Sequence, residues 1–275
     1  MIGWLEIIVL SVVEGITEFL PISSTGHLII FKKLLNINES EQLNAFLVIV
    51  QSGAILAVVS VFFPVLLKWF KSWLSLLQKS DIKSAIDVKH RQQSVGVALS
   101  VLPFAVVGFL NKDFIKSLFS VKVVAVALIV GGILIVVDEY FLRRFRKSER
   151  DMSSLTIRDT FLVGVGQCLA LWPGFSRSAA TILTGRWLGF SRSASAEIGF
   201  LIGLPALLGT ALYETIKVYK QLDAQWIQFL IVGIIISWGV AYVCVKSFIK
   251  FLNRYPLTIF AAYRILVGTA ILVFL

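Results

Sequence analysis

Residues 14–27 read Glu-Gly-Ile-Thr-Glu-Phe-Leu-Pro-Ile-Ser-Ser-Thr-Gly-His. Glu14 and Glu18 stand four apart, which sets two carboxylates on one face of a helix. Pro21 must end that helix, because it has no amide hydrogen to donate and its ring crowds the preceding turn. Ser23 or Ser24 suits the N-cap of a second helix, with His27 one turn farther on and near both serines. A helix starting there points free backbone N–H groups and the positive end of its dipole at an anion. Ser23 and Thr25 are therefore candidate substrate contacts, and Glu14, Glu18, Ser24 and His27 candidate catalytic groups.

A counterpart lies at residues 173–181, Pro-Gly-Phe-Ser-Arg-Ser-Ala-Ala-Thr. Pro173 and Gly174 break the chain, Ser176 suits the next N-cap, and the planar, permanently charged guanidinium of Arg177 matches the oxygens of a phosphate. Ser176, Ser178 and, one turn on, Thr181 add hydroxyls that could bond the same oxygens. Two isolated polar residues stay open in role. Gln51, mid-span, fits either a substrate contact or helix packing, and Arg264 fits either a second substrate cation or a counter-ion for a glutamate.

The elements that must position these groups are membrane helices. Of 275 residues, 57% are apolar and only 15% charged, and the mean hydropathy is +0.87, far from the soluble balance of roughly 45–50% apolar and 25% charged. A hydrocarbon core takes about 20 helical residues. Runs of that order lie at residues 42–67, 92–111, 224–245 and 255–275, the last with Arg264 as its sole charge. Residues 123–137 and 198–213 are shorter, but Lys122 and Asp138, and Glu197 and Glu214, flank them and can snorkel, giving six spans. The polar, proline-broken segments 4–35 and 159–190 then read as two re-entrant hairpins. Seven uncharged residues separate Glu6 from Glu14, so the carboxylate pair lies at depth, where ionisable residues mark function. The glutamate-bearing N-terminal stretch has no basic region and does not read as a cleavable signal. Cys168 and Cys244 read as buried structural thiols.

Following the chain through six spans places 17 Lys and Arg residues on the side opposite the N-terminus: those from Lys68 to Arg91, those from Arg143 to Arg158, and Arg186, Arg192, Lys246, Lys250 and Arg254. Seven fall on the side of the N-terminus. The positive-inside rule makes the richer side cytoplasmic and puts both termini outside. The net charge of +10 thus reflects topology and not a nucleic-acid partner, and residues 143–158 form a basic cytoplasmic linker.

A shift of 137 aligns Gly96 with Gly233, Ser100 with Ser237 and Gly131 with Gly268, and a shift of 152 aligns Pro21 with Pro173 and Ser24 with Ser176. Each half, residues 1–142 and 159–275, carries a broken segment and then three spans. Three crossings are odd, so the second half is inverted relative to the first, as in transporters. Irregular backbone at membrane depth is tolerated only where protein or a wet cavity satisfies it, so the two breaks should mark one site.

At these motifs the chain resembles the bacterial undecaprenyl-diphosphate phosphatases, the integral-membrane bacitracin-resistance proteins. The first motif is carried by Glu14, Glu18, Pro21, Ser23, Ser24 and His27, the second by Pro173 to Thr181, and the likeness includes the Gln51-Ser52-Gly53 region. The resemblance implies hydrolysis of undecaprenyl diphosphate at the outer face of the bacterial cytoplasmic membrane, which recycles the lipid carrier of cell-wall synthesis. It also implies a divalent cation. Mg²⁺ or Ca²⁺ would suit the hard oxygens of Glu14 and Glu18. Two chemistries fit the remaining groups: Ser24 as nucleophile with His27 as base, or His27 itself attacking or activating water. The architecture alone also fits a secondary transporter or lipid flippase. Oligomeric state stays open, a homodimer being one option.

Overall fold

The structure, a computed structural model, describes residues 2–38, 40–76, 85–145 and 149–274. Lys79, Lys83, Arg146 and Lys147 of the charge tally lie outside the described residues. The regular elements described are helices, apart from a single parallel bridge between Arg150 and Phe190. In chain order they are α1 (Trp4–Thr17), α2 (Ser24–Leu34), α3 (Glu41–Ile49), α4 (Gln51–Val61), α5 (Phe63–Leu74), α6 (Ala85–Leu99), α7 (Val101–Leu110), α8 (Lys112–Ser117), α9 (Val121–Phe145), α10 (Ile157–Gln167), α11 (Arg177–Trp187), α12 (Arg192–Val218), α13 (Ala224–Leu252) and α14 (Thr258–Phe274). Short 3₁₀ turns lie at Met152–Ser154, Cys168–Leu171 and Tyr219–Gln221.

Five helical stretches among the described residues are long and apolar enough to cross a membrane: Glu41–Val61, Ala85–Leu110, Val121–Phe141, Arg192–Gln221 and Ala224–Leu252. The sixth expected span, α14, is apolar but has 17 residues. Pro256 accounts for its late start, since a helix running on from Tyr255 would need the amide that proline lacks. Prolines reshape two other runs. The stretch expected over residues 42–67 turns at Phe62, where Pro64 opens α5, and the one over 92–111 divides at Ser100, three residues before Pro103.

The helices pack so that the two broken segments meet in the interior. α1 lies along α13, α10 along α6, α11 along α12, and α14 along α9. A core cluster joins Phe19 at the end of α1 to α4, α11, α12 and α13, with Phe19 edge-on to Phe200 at 5.0 Å. Large apolar side chains such as Phe109, Leu110, Ile231 and Leu266 point outward, as suits helices solvated by lipid chains.

Two expectations need correction. Asp138 does not snorkel: it is fully buried and accepts from Nε of Arg186, itself 2% exposed. Next to it, Glu139 takes two hydrogen bonds from Arg192, at 2.6 and 2.7 Å, and the backbone N–H of Leu257 at 3.0 Å. A carboxylate at the edge of an apolar run looks like an end anchor until its partner on another helix is known. Arg150 is likewise held by Asp159 at 2.6 and 3.0 Å, so part of the apparent cytoplasmic charge is internal pairing. Cys168 and Cys244, for their part, are half-buried, not buried.

Candidate active site

The site is built on two turns of the same form. α1 ends at Thr17, and after the turn Ser23 caps α2, its side chain accepting from the Gly26 N–H at 3.3 Å. Ser176 caps α11 the same way, accepting from Ala179 at 3.2 Å. Both serines hold positive φ, 73° and 78°, a conformation that costs a residue with a Cβ on the order of 1–3 kcal/mol. Structurally, therefore, Ser23 pairs with Ser176, one residue off the shift of 152 that aligns Pro21 with Pro173. Phe175 is the additional residue in the second turn.

Glu18 joins the two turns. Its Oε2 accepts from the Ser24 hydroxyl at 2.6 Å and its Oε1 from Nη2 of Arg177 at 2.5 Å. Nη1 of Arg177 donates to the Gly203 carbonyl of α12 at 2.9 Å. A Cβ at residue 203 would lie 2.9 Å from that Nη1, so glycine is what lets the guanidinium approach. These groups face a cavity of about 280 Å³. Glu18, Ser23, Ser24, Thr25, Gln51, Ser176 and Arg177 supply its polar wall, and Phe104, Ile115, Phe119 and Leu207 much of its apolar one.

The other candidates stand behind that wall. Glu14 is fully buried, and both its carboxylate oxygens lack a hydrogen-bond partner among the described residues. Ser178 donates to the Leu20 carbonyl at 2.9 Å and lies 2.9 Å from the Ser176 hydroxyl, tying the second turn to the first. Thr181 turns back to its own helix, bonding the carbonyls of Arg177 and Ser178. His27 sits 2.8 Å by Nδ1 from the Ser23 carbonyl and 2.6 Å by Nε2 from the Tyr263 hydroxyl. It is not bonded to Ser24, whose hydroxyl goes to Glu18, so the geometry offers Glu18 and not His27 as the base for that serine. Of these neighbours, Gly203, Tyr263 and the α7–α8 wall carry no local signal in the sequence.

Arg264 is neither of the things its sequence position suggested. Fully buried, it donates to four backbone carbonyls: Leu128 at 3.1 Å and Ala127 at 3.1 Å on α9, Pro21 at 2.9 Å in the first turn, and Gly174 at 3.2 Å in the second. A Cβ at Gly131 would fall 2.1 Å from its Nη2. One guanidinium thus satisfies both interrupted backbones. Arg264→Met should cost about 2–6 kcal/mol, since the Pro21 and Gly174 carbonyls lose their donor at about 1–3 kcal/mol each, while the two α9 carbonyls keep their helix bonds. Arg264→Lys should recover only part of this, because a single ammonium cannot span four acceptors. Denaturation midpoints in detergent, for the two variants against the parent, measure both.

Residues 7–270 match the family described as bacitracin resistance protein BacA. An undecaprenyl-diphosphatase of Clostridium tetani is 37% identical over 271 residues, covering 98% of this chain and 95% of the relative. One of Bacillus subtilis is 37% identical over 269 residues, 96% and 95% of the two chains. One of Persephonella marina is 36% identical over 273 residues, 99% of each.

Proposed function

The chain belongs to the bacitracin resistance protein family, and from that premise we propose that it is an undecaprenyl-diphosphate phosphatase, releasing undecaprenyl phosphate and inorganic phosphate and so returning the lipid carrier to cell-wall synthesis. The observation that carries the reading is the Ser24–Glu18–Arg177 chain at the wall of a cavity lined by both polar and apolar side chains. A diphosphate on a long isoprenoid needs both surfaces.

Each group then has a task. The Ser24 oxygen attacks the terminal phosphorus while its proton passes to Oε2 of Glu18, and the bond from phosphorus to the bridging oxygen breaks. Undecaprenyl phosphate leaves with the electron pair, unprotonated, and Glu18 sheds its proton to solvent. In the second half Glu18 takes a proton from water, the hydroxide attacks the phosphoserine, and the serine oxygen leaves and recovers that proton. Arg177, which spends two of its five N–H groups on Glu18 and Gly203, has others to place on the transferring phosphoryl oxygens, where catalysis is mainly positioning and charge stabilisation. Ser23, Thr25, Gln51, Ser176, Ser178 and Thr181 contact the substrate or hold the turns that do.

A divalent cation, Mg²⁺ or Ca²⁺, belongs to this proposal. The two buried, unpartnered oxygens of Glu14 beside Glu18 are hard donors suited to such an ion. When bound, it would screen the charge of the diphosphate. The six spans with two re-entrant hairpins, the inverted halves and the outward-opening site with both termini outside complete the reading, supported by the twin serine caps and the cation asymmetry.

The test is phosphate release from undecaprenyl diphosphate by purified protein in detergent, where no gradient exists. Release that requires Mg²⁺ or Ca²⁺ is expected, with Glu14→Gln roughly 100-fold slower and its metal titration displaced to higher concentration. No release at all would favour the transporter reading. Full chelator-resistant release by Glu14→Gln would remove the ion.

A further inference from the structure

We propose that Tyr263 is a positioning residue of this site: its hydroxyl fixes His27 in the Nδ1–H tautomer, and His27 in turn fixes the Ser23 carbonyl and the strained turn that presents Ser24. The inference rests on the phosphatase reading only for its kinetic consequence. A backbone carbonyl can only accept, so at 2.8 Å from Ser23 O the Nδ1 of His27 carries the hydrogen. Nε2 is then the acceptor, and the Tyr263 hydroxyl 2.6 Å away donates to it. The two rings are also stacked, 5.6 Å apart and 7° from parallel. His27 is 5% exposed, so both ring nitrogens are engaged and neither faces the cavity.

Such a lock has work to do. Ser23 holds φ at 73°, and a residue stays in that region only where its surroundings over-determine it. Its carbonyl accepts twice from His27, from the ring and from the backbone N–H at 3.2 Å. The second turn shows the contrast. Counting from the paired caps, its equivalent of His27 is Ala180, which has no ring to donate, and among the described residues the Ser176 carbonyl accepts from the Ala180 backbone N–H alone, at 3.0 Å. The imidazole lock is present only in the turn that carries the serine nucleophile.

The chain has two histidines, His27 and His90, so a His90→Gln protein purified without a histidine tag reports on His27 alone. Its ¹⁵N-histidine NMR spectrum, taken in detergent without substrate, should show a protonated Nδ1 and a hydrogen-bonded, unprotonated Nε2. Tyr263→Phe keeps the stacked ring and removes the donor. Its Nε2 resonance should move to that of a free imidazole nitrogen or average between tautomers, and kcat should fall roughly tenfold with KM nearly constant, the loss expected for one hydrogen bond. An Nε2–H tautomer in the protein with Tyr263 intact would overturn the proposal, as would a Tyr263→Phe protein unchanged in both tautomer and kcat. Failure to hydrolyse any polyprenyl diphosphate would instead count against the phosphatase reading and leave the tautomer result standing.

Discussion

Ser24→Ala is expected to slow phosphate release from undecaprenyl diphosphate by about 10⁴-fold, the scale on which removal of a nucleophile acts, while the protein remains folded and still binds the lipid. The separation of effects follows from the contacts. The hydroxyl of Ser24 donates to Glu18, which keeps Arg177 on its other oxygen. The turn is held by other groups, the Ser23 cap, His27 and Arg264. Glu18→Gln should be similarly slow, because an amide cannot take the serine proton. His27→Ala should differ: it removes a brace and not a base, so the loss is smaller and accompanied by lower stability. Rapid quenching of the parent with labelled substrate should trap phosphate on Ser24. Release by Ser24→Ala within tenfold of the parent would place water, not serine, at the phosphorus.

Much of this site is legible in the residue order because its signals are local. Pro21 and Pro173 stop helices, a serine follows each at capping distance, and two glutamates four apart must share a helix face. Composition and run length point to the membrane for the same reason. What escapes is long-range. Nothing near Asp138 announces Arg186, and nothing in the last apolar helix tells that Tyr263 reaches His27 while its neighbour Arg264 reaches both turns. Spacing along one helix sets His27 near Ser24, but the ring turns to α14 because Ser23 O and Tyr263 together satisfy both its nitrogens. Even the internal repeat misleads by one residue at the most informative place. Identity aligns the prolines, whereas the caps align only when Phe175 is allowed as an insertion. Short apolar helices match in several registers, and only the conformation of the serine fixes which one the fold uses.

Arg177→Ala should lower kcat/KM by about 10³-fold, the usual effect of deleting a positioned donor to a transferring phosphoryl group. Arg177→Lys should be nearly as slow. The guanidinium works as a fork whose base is pinned by Gly203 O and Glu18 and whose remaining N–H groups meet the phosphate. Lysine restores the charge and not the fork. A fork also needs room to approach, which a purely electrostatic role for Arg177 would not require. Gly203 is required because a Cβ there would come within 2.9 Å of Nη1 and 3.1 Å of Cζ. Gly203→Ala must therefore shift the guanidinium by a few tenths of an ångström relative to the Gly203 carbonyl and Glu18, with every charge in the site retained. It should lower kcat several-fold with the fold preserved, since a 1 Å misplacement of a catalytic group costs up to about 100-fold and this shift is a fraction of that. Steady-state phosphate release by Arg177→Ala, Arg177→Lys and Gly203→Ala, each referred to its denaturation midpoint, separates the two accounts. If Gly203→Ala is as fast as the parent and Arg177→Lys nearly so, position 177 needs only a positive charge, and the fork is not the reason an arginine stands there.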